Sequence, residues 1–183
     1  MSGKQGETME LQIRKATRQD LAAVVQLYEA LLSYLEAGVN YPGWKKDIYP
    51  TQQDAEAALQ KDQLYVAQSG DVLAGTIVLN HFQEDAYQTM QWGCNAPPDK
   101  VLVLHTFAVH PGFAGKGVGT ALIQFAEAKA KADGLQTIRL DVYEGNKPAI
   151  RLYEKQQFRH VGTADMGYGM YGLHEYRLYE KIL

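Results

Sequence analysis

The chain of 183 residues is short of cysteine: Cys94 stands alone. One cysteine excludes an intramolecular disulfide and a cysteine-built zinc site, no metal is expected, and a reducing, cytoplasmic home fits. An excess of positive charge is missing too. Lys and Arg number 18 against 21 Asp and Glu, a formal charge of −3. That balance provides no basic field for nucleic acid and no polybasic signal for a membrane surface, and it slightly favours a cationic or neutral substrate. No apolar run approaches the length needed to span a bilayer, and the start, MSGKQGETMELQIRKA, lacks the apolar core of a signal peptide. Repeats and low-complexity blocks are absent. What is present, 46% apolar and 21% charged residues, is an ordinary globular composition. The expectation is one domain over residues 10–183, with 1–9 a flexible N-terminal segment or expression remnant.

Periodicity supplies the elements. ELQIRKA alternates apolar and polar residues, as a strand does. TRQD reads as a capping box with Thr17 as N-cap, and Leu21, Val24, Val25, Tyr28, Leu31, Leu32 and Leu35 then recur at helical spacing until Gly38. A turn-rich stretch with Tyr41, Trp44 and Tyr49 leads to a second Thr-x-x-Asp box and a helix over 51–61. LYVAQSGDVLAGTIVLNHF is a hairpin by its turn residues. Residues 83–100 have no clear period, and Pro97-Pro98 rules out regular structure there. VLVLHTFAVH has apolar residues on both parities and reads as a strand buried on both faces. A helix to about Asp133, the strand TIRLDVY, a short helix capped by Asn146, and two closing strands complete the order β-α-α-β-β-β-α-β-α-β-β. This predicts an α/β (α+β) mixed sheet with helices on its faces.

Between the buried strand and the long helix stands HPGFAGKGVGTALIQF, with glycines at 115, 117 and 119. Amides at a helix N-terminus are unpaired donors in a positive potential, and glycine lets an anion come close. The stretch reads as an anion cradle, against the alternative of a plain tight turn. Neither nucleotide fingerprint fits: Val118 stands where a Walker loop needs lysine, and the glycine spacing is wrong for a dinucleotide turn.

VHPGFAGKGVGTALI followed by RLDVYEGNKPAIRLYEKQQF resembles the GNAT family of acetyl-CoA-dependent N-acetyltransferases. The family pattern is Arg/Gln-x-x-Gly-x-Gly/Ala at the start of the central helix, then Asn-x-x-Ala-x-x-x-Tyr-x-x-x-x-Phe on the next. Asn146, Ala149, Tyr153 and Phe158 match the second motif. Ala114 departs from the first, which removes a side-chain contact to the pyrophosphate and implies weaker cofactor binding; Lys116 is either a substitute charge or solvated.

The resemblance implies a mostly antiparallel sheet splayed at its central strands, with acetyl-CoA held by Ala114, Gly115, Lys116, Gly117, Val118, Gly119 and Thr120. The backbone of Phe107, Ala108 and Val109 would pair with the pantetheine arm, and Asn146, Ala149 and Tyr153 would contact the cofactor. It implies direct acetyl transfer to a primary amine in a ternary complex, with Tyr153 as the general acid. The base stays open between His105, a packed strand histidine with no such role, and water. Tyr41, Trp44, His81 and Trp92 are candidates for the acceptor site, and MGYGMYGLHEY for a lid or a dimer contact. A small-molecule acceptor is preferred. A protein or peptide amine, or a non-catalytic acyl-CoA-binding module, is the alternative.

Overall fold

The computed structural model describes residues 10–183; the expectation for residues 1–9 lies outside them. The elements follow the predicted order: β1 (Gln12–Lys15), α1 (Leu21–Ala37), α2 (Gln52–Gln60), β2 (Leu64–Ser69), β3 (Val72–Asn80), β4 (Val101–Val109), α3 (Val118–Ala132), β5 (Thr137–Tyr143), α4 (Lys147–Lys155), β6 (Arg159–Ala164) and β7 (Tyr176–Ile182). Among the described residues these strands form one sheet in the order β1-β2-β3-β4-β5-β7-β6. Every neighbouring pair is antiparallel except β4 and β5.

Both faces of the sheet are covered, which is why its strands carry apolar residues on both parities. Tyr65 and Ala67 of β2 and Leu102 and Leu104 of β4 turn to α3 and α4, against Leu122, Ile123, Ala126 and Ile150. Their strand neighbours Leu64 and Val66 turn the other way, to Val24, Leu27 and Tyr28 of α1 and Ala55 and Ala58 of α2. Tyr28 thus belongs to the core, as its place on the apolar stripe of α1 requires.

The segment 83–100 is less irregular than its two prolines suggest. It holds short 3₁₀ turns at Asp85–Thr89 and Pro98–Lys100, and proline fits the second because the first residue of such a turn needs no N–H partner. The segment closes the rest of the α1 face by packing Met90 and Trp92 around buried Tyr87, Val101, Val103 and Leu178. A buried ion pair anchors it. Arg139 on β5 bonds Glu180 on β7 at 3.2 Å, each 4% exposed. Its other nitrogens donate to Gln83 Oε1 and to the Cys94 carbonyl, both at 2.7 Å. Glu180 in turn accepts from the Gly93 and Cys94 amides. Trp92 lies over the Arg139 guanidinium at 4.1 Å and donates its Nε1–H to the Tyr87 carbonyl.

Candidate active site

The centre of the sheet is where its pairing fails. β4 pairs with β5 only at Val101, Leu102 and Val103, opposite Thr137, Ile138 and Arg139. Beyond that point the two strands diverge, so residues 104–109 leave one backbone edge without a strand partner. On the other side β4 stays paired to β3, but with an irregularity: His105 faces Val78 and Ala108 faces Thr76, so Thr106 and Phe107 together oppose Ile77. Two residues against one make a bulge, and Thr106 takes φ +41°, a region that β-branched residues rarely enter. Backbone held this way costs on the order of 1–3 kcal/mol and gathers at functional sites. Here Tyr49 from the α1–α2 loop holds it, its hydroxyl 2.5 Å from Thr106 Oγ1.

At the end of β4 the chain makes one 3₁₀ turn, Pro111–Phe113, and enters α3 through Gly115 at φ +72° and Gly117 at φ +85°. Both glycines are required by their backbone, since a Cβ at either would meet nothing within 4 Å. Gly119 is required by space: a Cβ there would stand 3.0 Å from Leu152 and 3.2 Å from Phe107. The amides of Gly115, Gly117, Val118, Gly119 and Thr120 make no backbone hydrogen bond; the first α3 bond runs from Ala121 to Gly117. Five free donors at the N-terminus of a long helix suit a pyrophosphate. Ala114 is exposed and contributes backbone alone, and Lys116 rests its ammonium 5.2 Å from the Phe113 ring beside the cradle. The cradle and the unpaired β4 edge together fit coenzyme A: donors for its phosphates, and a strand edge for its amide-bearing arm.

A cleft of about 370 Å³ opens from the divergence of β4 and β5. His105, Thr106 and Phe107 line one side and Asp141, Val142 and Tyr143 the other, with Asn146, Ala149 and Tyr153 from α4. Its roof comes from Trp44 and Tyr49 in the α1–α2 loop and Met166, Tyr168, Tyr171, Leu173 and Tyr176 in the β6–β7 connection and the start of β7. The two roof segments touch: a Cβ on Gly43 would overlap the Leu173 side chain at 2.3 Å.

Of the residues singled out in the sequence, His105, Phe107, Asn146, Ala149, Tyr153 and Trp44 come together at this cleft. Ala108 is buried in the α1 face and Val109 packs under α3, and neither side chain lines the cleft. Asn146 caps α4 by accepting from the Ala149 amide at 3.4 Å. His81 is exposed and bonded through Nδ1 to the Val101 carbonyl, outside the cleft. Trp92 covers Arg139 and also lies outside it. Tyr41 is 40% exposed beside the roof and is not part of the lining.

Tyr153 is 5% exposed, and its hydroxyl has no hydrogen-bond partner among the described residues. Burial, with the Asp141 carboxylate adding to it, pushes its pKa up, so the phenol keeps its proton at neutral pH. Burial lowers the His105 pKa below its ordinary 6.5, so the imidazole is neutral there. Its Nε2 faces the Phe82 carbonyl at 3.2 Å. A carbonyl only accepts, so Nε2 carries the hydrogen and Nδ1 keeps its lone pair. The cleft therefore combines a protonated donor with a neutral proton acceptor.

Asp141 and Glu84 line the cleft as well, and sequence reasoning missed both. Asp141 had a signal: in TIRLDVY it shares a strand face with Arg139 and Tyr143, and a carboxylate inside a central strand is rarely idle. Glu84, in an aperiodic segment, had none.

Residues 23–158 match the acetyltransferase (GNAT) family. The chain belongs to that family. Members of the family use acetyl-CoA as the cofactor and an amine as the acceptor. The uncharacterised N-acetyltransferase YesJ of Bacillus subtilis is 25% identical over 118 residues, 64% of this chain and 64% of YesJ, just under two thirds of that relative. A GNAT-family acetyltransferase from Streptococcus agalactiae 2603 superposes with a TM-score of 0.74 at 19% identity, covering 94% of this chain and 95% of that one. An N-acetyltransferase from Staphylococcus aureus Mu50 gives 0.70 at 22% identity over 94% and 98%. At these identities the two structures speak for the fold. No helix among the described residues is long and apolar enough to cross a membrane.

Proposed function

We propose that this GNAT-family chain transfers the acetyl group of acetyl-CoA directly to a primary amine of a small molecule, in the reducing interior that its single cysteine suits. The observation that carries the reading is the roofed cleft at the β4–β5 divergence. Its volume of about 370 Å³ suits a compact acceptor, and the Gly43 and Leu173 segments pack against one another over it.

The roles follow from the geometry. The free amides of Gly115, Gly117, Val118, Gly119 and Thr120 would hold the pyrophosphate, and the free edge of β4 would align the pantetheine arm. A backbone N–H at Phe107 or Val109 would polarise the carbonyl of the bound acyl group. His105 accepts the proton that the amine must lose, through Nδ1, and Tyr153 donates its proton to the leaving sulfur. Coenzyme A supplies the activated acyl group when bound.

The test is thiol release from acetyl-CoA against a panel of small amines, with its pH profile. Turnover is expected, with kcat/KM falling on the acid side through a pKa below the ordinary 6.5 of histidine, because protonated His105 cannot accept. His105→Gln should remove that limb and lower kcat/KM above it by about 10²-fold. An unchanged limb assigns the base to another group. Turnover on peptide N-termini alone favours the protein-amine reading, and tight acetyl-CoA binding without turnover on any amine favours a binding module.

A further inference from the structure

The cleft carries a charge pattern that acetyl transfer alone does not require. Asp141 and Glu84 both line it, and no cation among the described residues lies within 4.0 Å of either carboxylate. Tyr87 donates to Asp141 Oδ1 at 2.8 Å, and no other side chain bonds that group. The Glu84 side chain makes no hydrogen bond at all among the described residues. The basic groups near at hand are Lys45, exposed at the rim, and His105, whose pKa burial lowers and the Phe82 carbonyl and Glu84 raise. Burial raises the pKa of both acids, and for Glu84 Asp141 adds to the rise while His105 opposes it. Carboxylates withdrawn from water without a counter-charge are costly, and these two face an open cavity.

A second feature of the same cavity also points to a guest. The Tyr153 hydroxyl, on a side chain 5% exposed, turns into the cleft with no partner. Aromatic rings make up much of the remaining wall. Tyr176 stands between Tyr143 and Tyr168, with ring centroids 5.8 and 5.7 Å apart, and Trp44 meets Tyr49 edge-on at 5.4 Å. Such faces attract cations.

The two acids suit a cation other than the reacting nitrogen. That nitrogen must be neutral when it attacks, and a carboxylate beside it holds its proton in place. Resting on the function proposed above, we propose that the acceptor is a small dibasic amine. One primary amine meets His105 and Tyr153, while a second ammonium or guanidinium sits between Asp141, Glu84 and the tyrosine rings. In the transfer, the C–N bond forms and the C–S bond breaks. The amine proton passes to His105 and the Tyr153 proton to the thiolate, after which solvent resets both groups. The second cation takes no part beyond anchoring. A monoamine leaves the acids uncompensated, and an acceptor bearing its own carboxylate is repelled by them.

The experiment compares putrescine, butylamine and γ-aminobutyrate as acceptors, similar in length and different in the charge of the tail. Putrescine should exceed butylamine in kcat/KM by about 10- to 100-fold, the size of one charge-assisted contact, with γ-aminobutyrate poorest. Glu84→Gln and Asp141→Asn should each narrow the putrescine-to-butylamine ratio, chiefly through KM. Asp141→Asn also disturbs the bond from Tyr87. Glu84→Gln breaks no bond among the described residues and keeps the test valid if the other variant fails to fold. Putrescine and butylamine used equally well, or a ratio that neither variant moves, overturns the dibasic acceptor and leaves the transferase standing. If no amine is acetylated, the proposed function falls, and calorimetric titration of putrescine decides this inference separately. Heat of binding that Glu84→Gln weakens sustains it, and no binding overturns it.

Discussion

Tyr153→Phe should lower kcat by about 10²- to 10⁴-fold while the affinity for acetyl-CoA, read by calorimetry, stays within about twofold. The substitution removes one oxygen and nothing else that the fold uses. The ring keeps its packing against Phe107, Phe158 and Tyr179 at centroid separations of 6.1, 5.9 and 6.4 Å. Its hydroxyl bonds no group among the described residues, so no partner there is left stranded, and the melting temperature should hardly move. A hydroxyl kept in place to bond a backbone carbonyl would behave oppositely, costing stability and sparing turnover. Loss of kcat with binding and stability intact is therefore a result that only a role in the reaction produces. A variant that retains wild-type kcat would transfer the donor's role to water or to another tyrosine of the cleft.

Arg139→Ala should be the most damaging single change to stability, by about 3–5 kcal/mol, because it leaves the Glu180 carboxylate buried without its counter-charge. The guanidinium makes three separate bonds, to Glu180, Gln83 and the Cys94 carbonyl, and supports the Trp92 ring. Losing it removes the Gln83 and Cys94 ties of the 83–100 segment to β5, leaving the Tyr87–Asp141 bond and the Gly93 and Cys94 amides on a Glu180 carboxylate without its counter-charge. Urea unfolding should show a lower midpoint at similar slope. Glu84 and Tyr87 ride on the same segment, so the variant should also lose catalytic efficiency at temperatures where it remains folded. Arg139→Lys keeps the charge without the three-way fork and should recover only part of the loss. A midpoint unchanged in Arg139→Ala would mean that the segment is held by its apolar contacts alone.

The parts of the molecule that were readable from the chain are those where local pattern and global fold agree. The helical stripe of α1, the two-sided burial of β4 and the glycine turn before α3 each follow from a short-range rule, and the family motifs add the cradle and Tyr153. The acceptor end was less legible because it is assembled from segments without periodicity. Trp92 looked like a site residue since an aromatic in a loop has no visible core to join; its core is Arg139, on a strand distant in sequence. His81 looked free at a strand end but turns back to the Val101 carbonyl. Glu84 reaches the cleft on a segment held by Arg139, Glu180 and the Tyr87–Asp141 bond. Tertiary anchors of this kind leave no mark in local spacing.

Three residue pairs between β4 and β5 are all that join strands β1–β4 to β5–β7 within the sheet. The cores under α3 and under the 83–100 segment bridge that seam on either face, and a coenzyme lying in the gap would add contacts to both sides of it. Binding and cohesion are then one equilibrium. At a coenzyme concentration a hundredfold above its dissociation constant, the folded state gains about 2.7 kcal/mol. Resistance to proteolysis should rise with coenzyme A and fall when it is withdrawn, so that the lifetime of the protein follows the acyl-carrier supply around it.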